Sequence, residues 1–140
     1  MGCITKQKGE ISEAVILAEF MKLGFAVLQP FGDNQPYDLV VEKDGKFFRI
    51  QCKTGKLVKG VVRFSTVSTL PRFKGGYAYT SYEGKIEWFV VYCPQNNTVY
   101  AIPIDDVSKS VCYLRVEKTK NNQSKGVRLA EDYLLTKDFL

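Results

Sequence analysis

The chain has 140 residues, 45% hydrophobic and 25% charged, with 20 Lys and Arg against 15 Asp and Glu for a formal charge of +5. That length suits one domain over 1–140 with a real core; no run of about 18 apolar residues is present to span a membrane, and the opening MGCITKQKGE has no apolar signal core, so a cytoplasmic protein is expected. Histidine is absent, which excludes Ser-His-Asp and Cys-His catalysis and leaves carboxylates, lysines and a hard metal ion to do any chemistry.

Residues 6–23 read as a helix that Gly24 ends. FAVLQPF (25–31) reads as a short strand stopped by Pro30, and GDNQP (32–36) is turn chemistry. YDLVVE and KFFRIQCK are two strands joined at Asp44-Gly45, a strong hairpin signal. The stretch TGKLVKGVVRFSTVSTLPRFKGG is less regular, with one strand expected near 61–66. IEWFVVYCP (86–94) and TVYAIPI (98–104) are two more strands, separated by the turn QNN. DDVSKS opens a short helix, VCYLRVE (111–117) is a further strand, and Ser124 caps a final helix near 125–135. Helix, strands and a late helix point to an α+β or three-layer α/β/α domain.

The four cysteines, Cys3, Cys52, Cys93 and Cys112, form no C-x-x-C pair. Reduced thiols in a reducing compartment suit them better than a zinc site. The positive charge suggests a polyanionic partner. Cations recur through 53–74 as Lys56, Lys59, Arg63, Arg72 and Lys74, and these are the candidate DNA-binding residues. Gly55 and Gly60 can let the backbone approach phosphates, while Arg72 and Lys74 can reach guanine edges in a groove. A second basic cluster comprises Lys118, Lys120, Lys125 and Arg128. Tyr77, Tyr79 and Tyr82 are candidates for an interface between copies of the chain or for the core.

A two-residue turn at Asp44-Gly45 sets Val40 opposite Arg49 and Asp38 opposite Gln51. Alternation then gathers Asp38, Gln51 and Lys53 on one face and Leu39, Val41, Phe48, Ile50 and Cys52 on the other. On the first helix, Ala14, Leu17, Phe20 and Met21 form the expected apolar stripe, with Lys8, Ser12 and Glu19 facing solvent. Glu13 falls inside the stripe and Glu10 on the same side. A core-facing carboxylate is costly unless it is paired or binds a metal. A plain structural reading pairs Lys53 with Glu13 or Asp38. The functional reading is a Mg²⁺ site in which Asp38 and Glu13 supply charge, and Gln51 and the Cys52 backbone carbonyl supply further oxygens. Lys53 would orient a water and stabilise negative charge on a phosphate.

Pro36-Tyr37-Asp38 followed by Gln51-Cys52-Lys53 resembles the signature of the PD-(D/E)XK nuclease superfamily: a carboxylate, a hairpin, then Glu or Asp, any residue and Lys. Gly9 to Glu13 and Gly24-Phe25 are similar to the opening helix of archaeal Holliday-junction resolvases. PFGDNQPYDLVVE, QCKTG and NNQSKGVRLAEDYLL resemble group I intron homing endonucleases of this type. The resemblance implies a restriction-endonuclease-like three-layer α/β (α+β) domain, with a central mixed β-sheet flanked by helices. It further implies Glu13, Asp38, Gln51 and Lys53 as catalytic residues. Mg²⁺-dependent cleavage is implied, with Mn²⁺ able to substitute, of double-stranded or branched DNA by a homodimer or homotetramer. Homing cleavage is the first expectation, junction resolution the second, and a decayed DNA-binding module the alternative. Gln51 departs from the signature and removes one negative charge.

Overall fold

In the computed structural model, which describes residues 5–107, 110–117 and 127–139, the 44–45 turn forms as its sequence requires. Asp44 (φ 54°) and Gly45 (φ 80°) both take positive φ, the conformation of a type I′ hairpin turn. The turn joins β2 (Leu39–Lys43) to β3 (Lys46–Thr54) in the expected register, from Lys43 opposite Lys46 to Leu39 opposite Ile50. β1 (Ala26–Leu28) adds to β2, and β8 (Trp88–Cys93) and β9 (Thr98–Pro103) complete a five-stranded sheet in the order β1-β2-β3-β8-β9. Only β3 and β8 run parallel within it, so the sheet is mixed as expected.

The helix α1 (Thr5–Lys22) covers one face of this sheet. Its buried stripe is Ser12, Ile16 and Phe20, packed on Leu39, Val41, Ile50 and Cys52. Each fully buried apolar side chain here contributes about 1.5–3 kcal/mol. The expected stripe is therefore rotated: Met21 and Ala14 are exposed, and Ser12 faces the core. Burying Ser12 is tolerated because its hydroxyl lies 2.6 Å from that of Thr54, a partner 42 residues away.

The opposite face is covered by a second sheet rather than by a helix among the described residues. Its order is β10-β5-β4, from β10 (Val111–Arg115), β5 (Val61–Ser65) and β4 (Lys56–Val58). Val62, Phe64, Cys112 and Leu114 pack there against Phe89, Val91 and Ile102. The three layers are thus helix, mixed sheet and small antiparallel sheet. The stretch expected to hold one strand also holds β4 and β6 (Val67–Pro71), and β6 pairs with β7 (Tyr77–Ser81) in a separate hairpin.

The late helix is a correction. Ser124 lies outside the described residues, and 127–135 forms only a single 3₁₀ turn at Ala130–Tyr133. On either side of that turn the backbone is taken by strands: Arg115 donates its N–H to the Arg128 carbonyl, and Leu135 to Val99. Those tertiary bonds satisfy the groups that a helix would use internally. Of DDVSKS, Asp105 and Asp106 end a 3₁₀ turn at Ile104–Asp106, and residues 108–109 lie outside the described residues.

Two local features hold β3 in place. Arg49 on β3 donates from Nε to both oxygens of Glu87, at 3.0 Å each, just ahead of β8. The hydrogen bonds from Arg49 hold the Glu87 carboxyl below its usual range. Gly55 follows β3 between two packed side chains: a Cβ there would meet Val62 Cγ1 at 2.8 Å and Val91 Cγ1 at 2.9 Å. Both Gly55 and Gly60 are buried, and Gly60 takes a positive φ of 77° against Glu117, so packing and turn geometry account for these glycines rather than phosphate approach. Gly55→Ala is expected to cost about 1–3 kcal/mol by overpacking. Urea denaturation checks this, and an unchanged midpoint would show that β5 and β8 have room to part.

Candidate active site

Pairing between β2 and β3 stops at Leu39–Ile50, and the site lies where it stops. The Asp38 N–H still reaches the Ile50 carbonyl, at 2.8 Å. One step further, the Cys52 N–H has no strand to meet, and the Asp38 carboxylate accepts it at 3.0 Å. Asp38 therefore does not sit opposite Gln51 as a ladder partner. Its carboxylate occupies the slot in the sheet plane that a paired strand would fill. A strand residue points its N–H and C=O to the same side, so the Cys52 carbonyl faces the same opening. Gln51 turns its amide nitrogen to that carbonyl at 3.5 Å, the outer limit of a hydrogen bond.

Because the slot cuts through the sheet, groups from both faces converge on it. Glu13 comes from the α1 side and shares a cavity of about 300 Å³ with Asp38 and Tyr37. Gln51 comes from the other side and shares a cavity of about 210 Å³ with Asp38, Ser68, Thr80, Tyr82 and Lys85. Asp38 lines both. Lys53 lies on the same face of β3 as Gln51, with its Nζ 5.0 Å from the centre of the Tyr82 ring.

The electrostatics follow from burial. Desolvation raises the Asp38 pKa, and the Cys52 N–H and the Lys53 charge pull it back only in part. Burial also raises Glu13, helped by the negative charges of Asp38 and Glu10. Burial lowers the Lys53 pKa, which Asp38 opposes. Lys53 forms no ion pair with either carboxylate; the ion pairs among the described residues are Lys22–Glu19 and Arg49–Glu87. The plain structural reading of Lys53 as a salt-bridge partner is thereby removed.

The oxygens brought together are two carboxylates, an amide and a backbone carbonyl. No group of three or more His, Cys, Asp or Glu suited to a metal occurs among the described residues. Two carboxylates with no cation in contact with them, beside further hard oxygens, are the donor types that a hard divalent ion takes. The buried thiol of Cys52 points into the α1 core and takes no part.

The basic residues fall into two groups. Lys56 on β4 lies directly opposite Arg63 on β5, which lies opposite Tyr113 on β10, and all three are exposed. Lys59 is exposed in the turn between β4 and β5. Arg72 and Lys74 flank a fully exposed Phe73 at the tip of the β6–β7 hairpin, whose base lines the Asp38–Gln51 cavity through Ser68 and Thr80. Lys118, Lys120 and Lys125 lie outside the described residues, while Arg128 donates its Nε–H to the Asp106 carbonyl at 2.8 Å. Tyr77 and Tyr79 are exposed on the hairpin, but Tyr82 is a core residue and cannot form an interface between copies. Lys85 and Tyr82 line the candidate cavity, a placement the sequence did not reveal; both sit in the irregular segment after β7, which carries no periodicity to orient them.

A family model described as PD-(D/E)XK endonuclease matches residues 3–136. "Protein 5.3" of Escherichia phage T7 is 41% identical over 51 residues, covering 36% of this chain and 43% of that protein, so the match spans less than half of that relative's length. The solved structure of a bacterial homing endonuclease, I-Ssp6803I, aligns with a TM-score of 0.78 at 23% sequence identity, covering 94% of this chain and 89% of that one. The likeness extends to the whole fold described above.

Proposed function

Because the chain belongs to the PD-(D/E)XK endonuclease family, we propose that it is one nuclease domain over 1–140 that hydrolyses phosphodiester bonds in double-stranded DNA at specific sites, with Mg²⁺ as cofactor. The observation that carries this reading is the opened β2–β3 ladder, where Asp38, Glu13, the Cys52 carbonyl and Gln51 converge beside a Lys53 that forms no contact ion pair with either carboxylate. Those four residues would hold the ion, and Mn²⁺ suits the same oxygen donors. Mg²⁺, when bound, supplies positive charge where a phosphate accumulates negative charge. The Lys53 ammonium orients the attacking water by hydrogen bonding and adds its own charge to the phosphate. Gln51 orients through its amide while keeping the site one negative charge poorer than the usual signature, which favours a single ion.

Lys56, Lys59, Arg63, Arg72 and Lys74 hold the DNA in this reading, and the hairpin carries Arg72 and Lys74 into a groove that admits a two-stranded ribbon. Arg72→Ala is expected to weaken binding and to reduce the salt slope by about one. Binding isotherms between low and moderate salt check this, and an unaltered slope would remove Arg72 from the interface. One site cuts one strand, so cutting both strands favours a homodimer or homotetramer. Buried Cys52, Cys93 and Cys112 suit a cytoplasmic, reducing setting; no helix among the described residues is long and apolar enough to cross a membrane.

The test is cleavage of a labelled four-way junction and of a random linear duplex library, each with Mg²⁺ and with chelator, for the wild type and Asp38→Ala. The expected result is metal-dependent cutting of defined duplex sites, lost in Asp38→Ala. Preferential cutting of the junction would instead identify a resolvase. Tight DNA binding in chelator with no cutting under any condition would identify a binding module and overturn the nuclease reading.

A further inference from the structure

Lys53 carries a charge into a half-buried position and makes no contact ion pair there, although the Asp38 charge attracts it from further off. What faces its ammonium is a ring, with Nζ 5.0 Å from the Tyr82 centroid. That ring is itself fixed from several sides. Tyr82 is 7% exposed, and Phe89 meets it edge to face at 5.4 Å and 87°. Ser68 on β6 lies beside the Tyr82 side chain, in the wall of the same cavity. Its carbonyl accepts the Lys85 N–H at 2.9 Å, which closes the turn that follows β7. Ser68, Tyr82 and Lys85 line the same cavity as Asp38 and Gln51.

We propose that Tyr82 is a positioning residue for Lys53, whose ring face fixes the ammonium beside the scissile phosphate without neutralising it. An ion pair with Asp38 or Glu13 would hold Lys53 as firmly, but it would cancel the charge that the phosphate needs. An aromatic face attracts a cation through its quadrupole and carries no net charge of its own. The ring therefore separates two tasks that a carboxylate would merge, holding the ammonium and leaving it available. Ser68, beside this ring in the cavity wall, belongs to the hairpin whose tip bears Arg72 and Lys74.

The inference rests on the nuclease reading for the role of Lys53 but not for its placement, and two measurements separate the two. The first is the proton NMR shift of the Lys53 ε-methylene in wild type, Tyr82→Phe and Tyr82→Leu. Ring current places it upfield of the other lysines in wild type and in Phe, and the displacement disappears in Leu. The second is metal-dependent cleavage by the same variants, with kcat and KM separated and thermal midpoints measured alongside. Phe is expected to retain kcat within about threefold, whereas Leu loses about ten- to a hundredfold in kcat with KM changed by less than about twofold. A wild-type ε-methylene shifted like the other lysines would overturn the placement, including when Leu at this position does not fold. A folded Tyr82→Leu with wild-type kcat, or a Tyr82→Phe as impaired as Leu, would overturn the role of the ring. Absence of cleavage by the wild type would count against the nuclease reading and leave the ε-methylene shift to decide where Lys53 is held.

Discussion

Lys53→Ala is expected to lose cleavage by about a hundred- to a thousandfold or more while binding DNA and melting much as the wild type does. The magnitude is that of removing one preorganised group from the place where negative charge develops. The unchanged melting is the more discriminating half. If Lys53 were the buried partner of Asp38 or Glu13, its removal would strand a carboxylate and cost about 3–5 kcal/mol. No such ion pair exists, and burial already disfavours the ammonium. Replacing it by Ala removes that desolvation cost as well as the attraction to Asp38, and the two offset. Single-turnover cleavage of a labelled duplex, fluorescence anisotropy with the same duplex in chelator, and thermal melts check the three parts. Wild-type cleavage by the variant would remove Lys53 from the reaction. A large drop in melting temperature would return it to a structural role.

How far these residues could be read from the chain alone depended on whether the constraint was local. Asp44-Gly45 favours a two-residue type I′ turn, and that turn, once adopted, fixes every pair down to Leu39–Ile50. The apolar face of the hairpin and the grouping of Gln51 with Lys53 follow without any knowledge of the rest of the molecule. The same counting failed one step later, at Asp38, because the ladder opens there and a backbone N–H takes the carboxylate. Ladder arithmetic has no way to mark its own end. Ser12 was misplaced because its reason for facing inward, Thr54, lies on a strand 42 residues away. The β6–β7 hairpin turns through Arg72–Gly76, longer than a two-residue loop, and the alternation in Tyr77-Ala78-Tyr79-Thr80 was the signal available for it. Residues 127–135 carry helical composition, yet their backbone is claimed by β9 and β10, a tertiary pairing that local propensity does not encode. Lys85 and Tyr82 reach the site only through that irregular connection, so nothing in their spacing from Asp38 or Lys53 advertises them.

Asp38→Asn is expected to abolish cleavage and, in chelator at neutral pH, to make the protein more stable. The sign follows from the carboxylates. Burial raises the folded-state pKa of both Asp38 and Glu13, and the Asp38 charge further raises Glu13. A carboxyl with a raised folded pKa favours the fold while protonated, below its unfolded pKa, and that contribution is lost as pH rises through the folded value. Near pH 7 both groups are held ionised at a cost. Asn keeps an oxygen for the Cys52 N–H and removes the charge, so Glu13 is relieved as well. Each kcal/mol recovered is worth roughly 2–4 °C in melting temperature for a chain of this size. The wild type is expected to regain more than this when Mg²⁺ is added, because an ion bound to the folded form alone stabilises it by about 2.7 kcal/mol at a hundred times its dissociation constant. The two proteins should therefore change order, with Asn melting higher in chelator and the wild type higher in Mg²⁺. Melting curves from pH 5 to 8 in both conditions check this, and the advantage of Asn in chelator should shrink toward acid pH. A lower melting point for Asn in chelator would mean that Asp38 is held by compensating contacts, not kept under electrostatic tension for an ion.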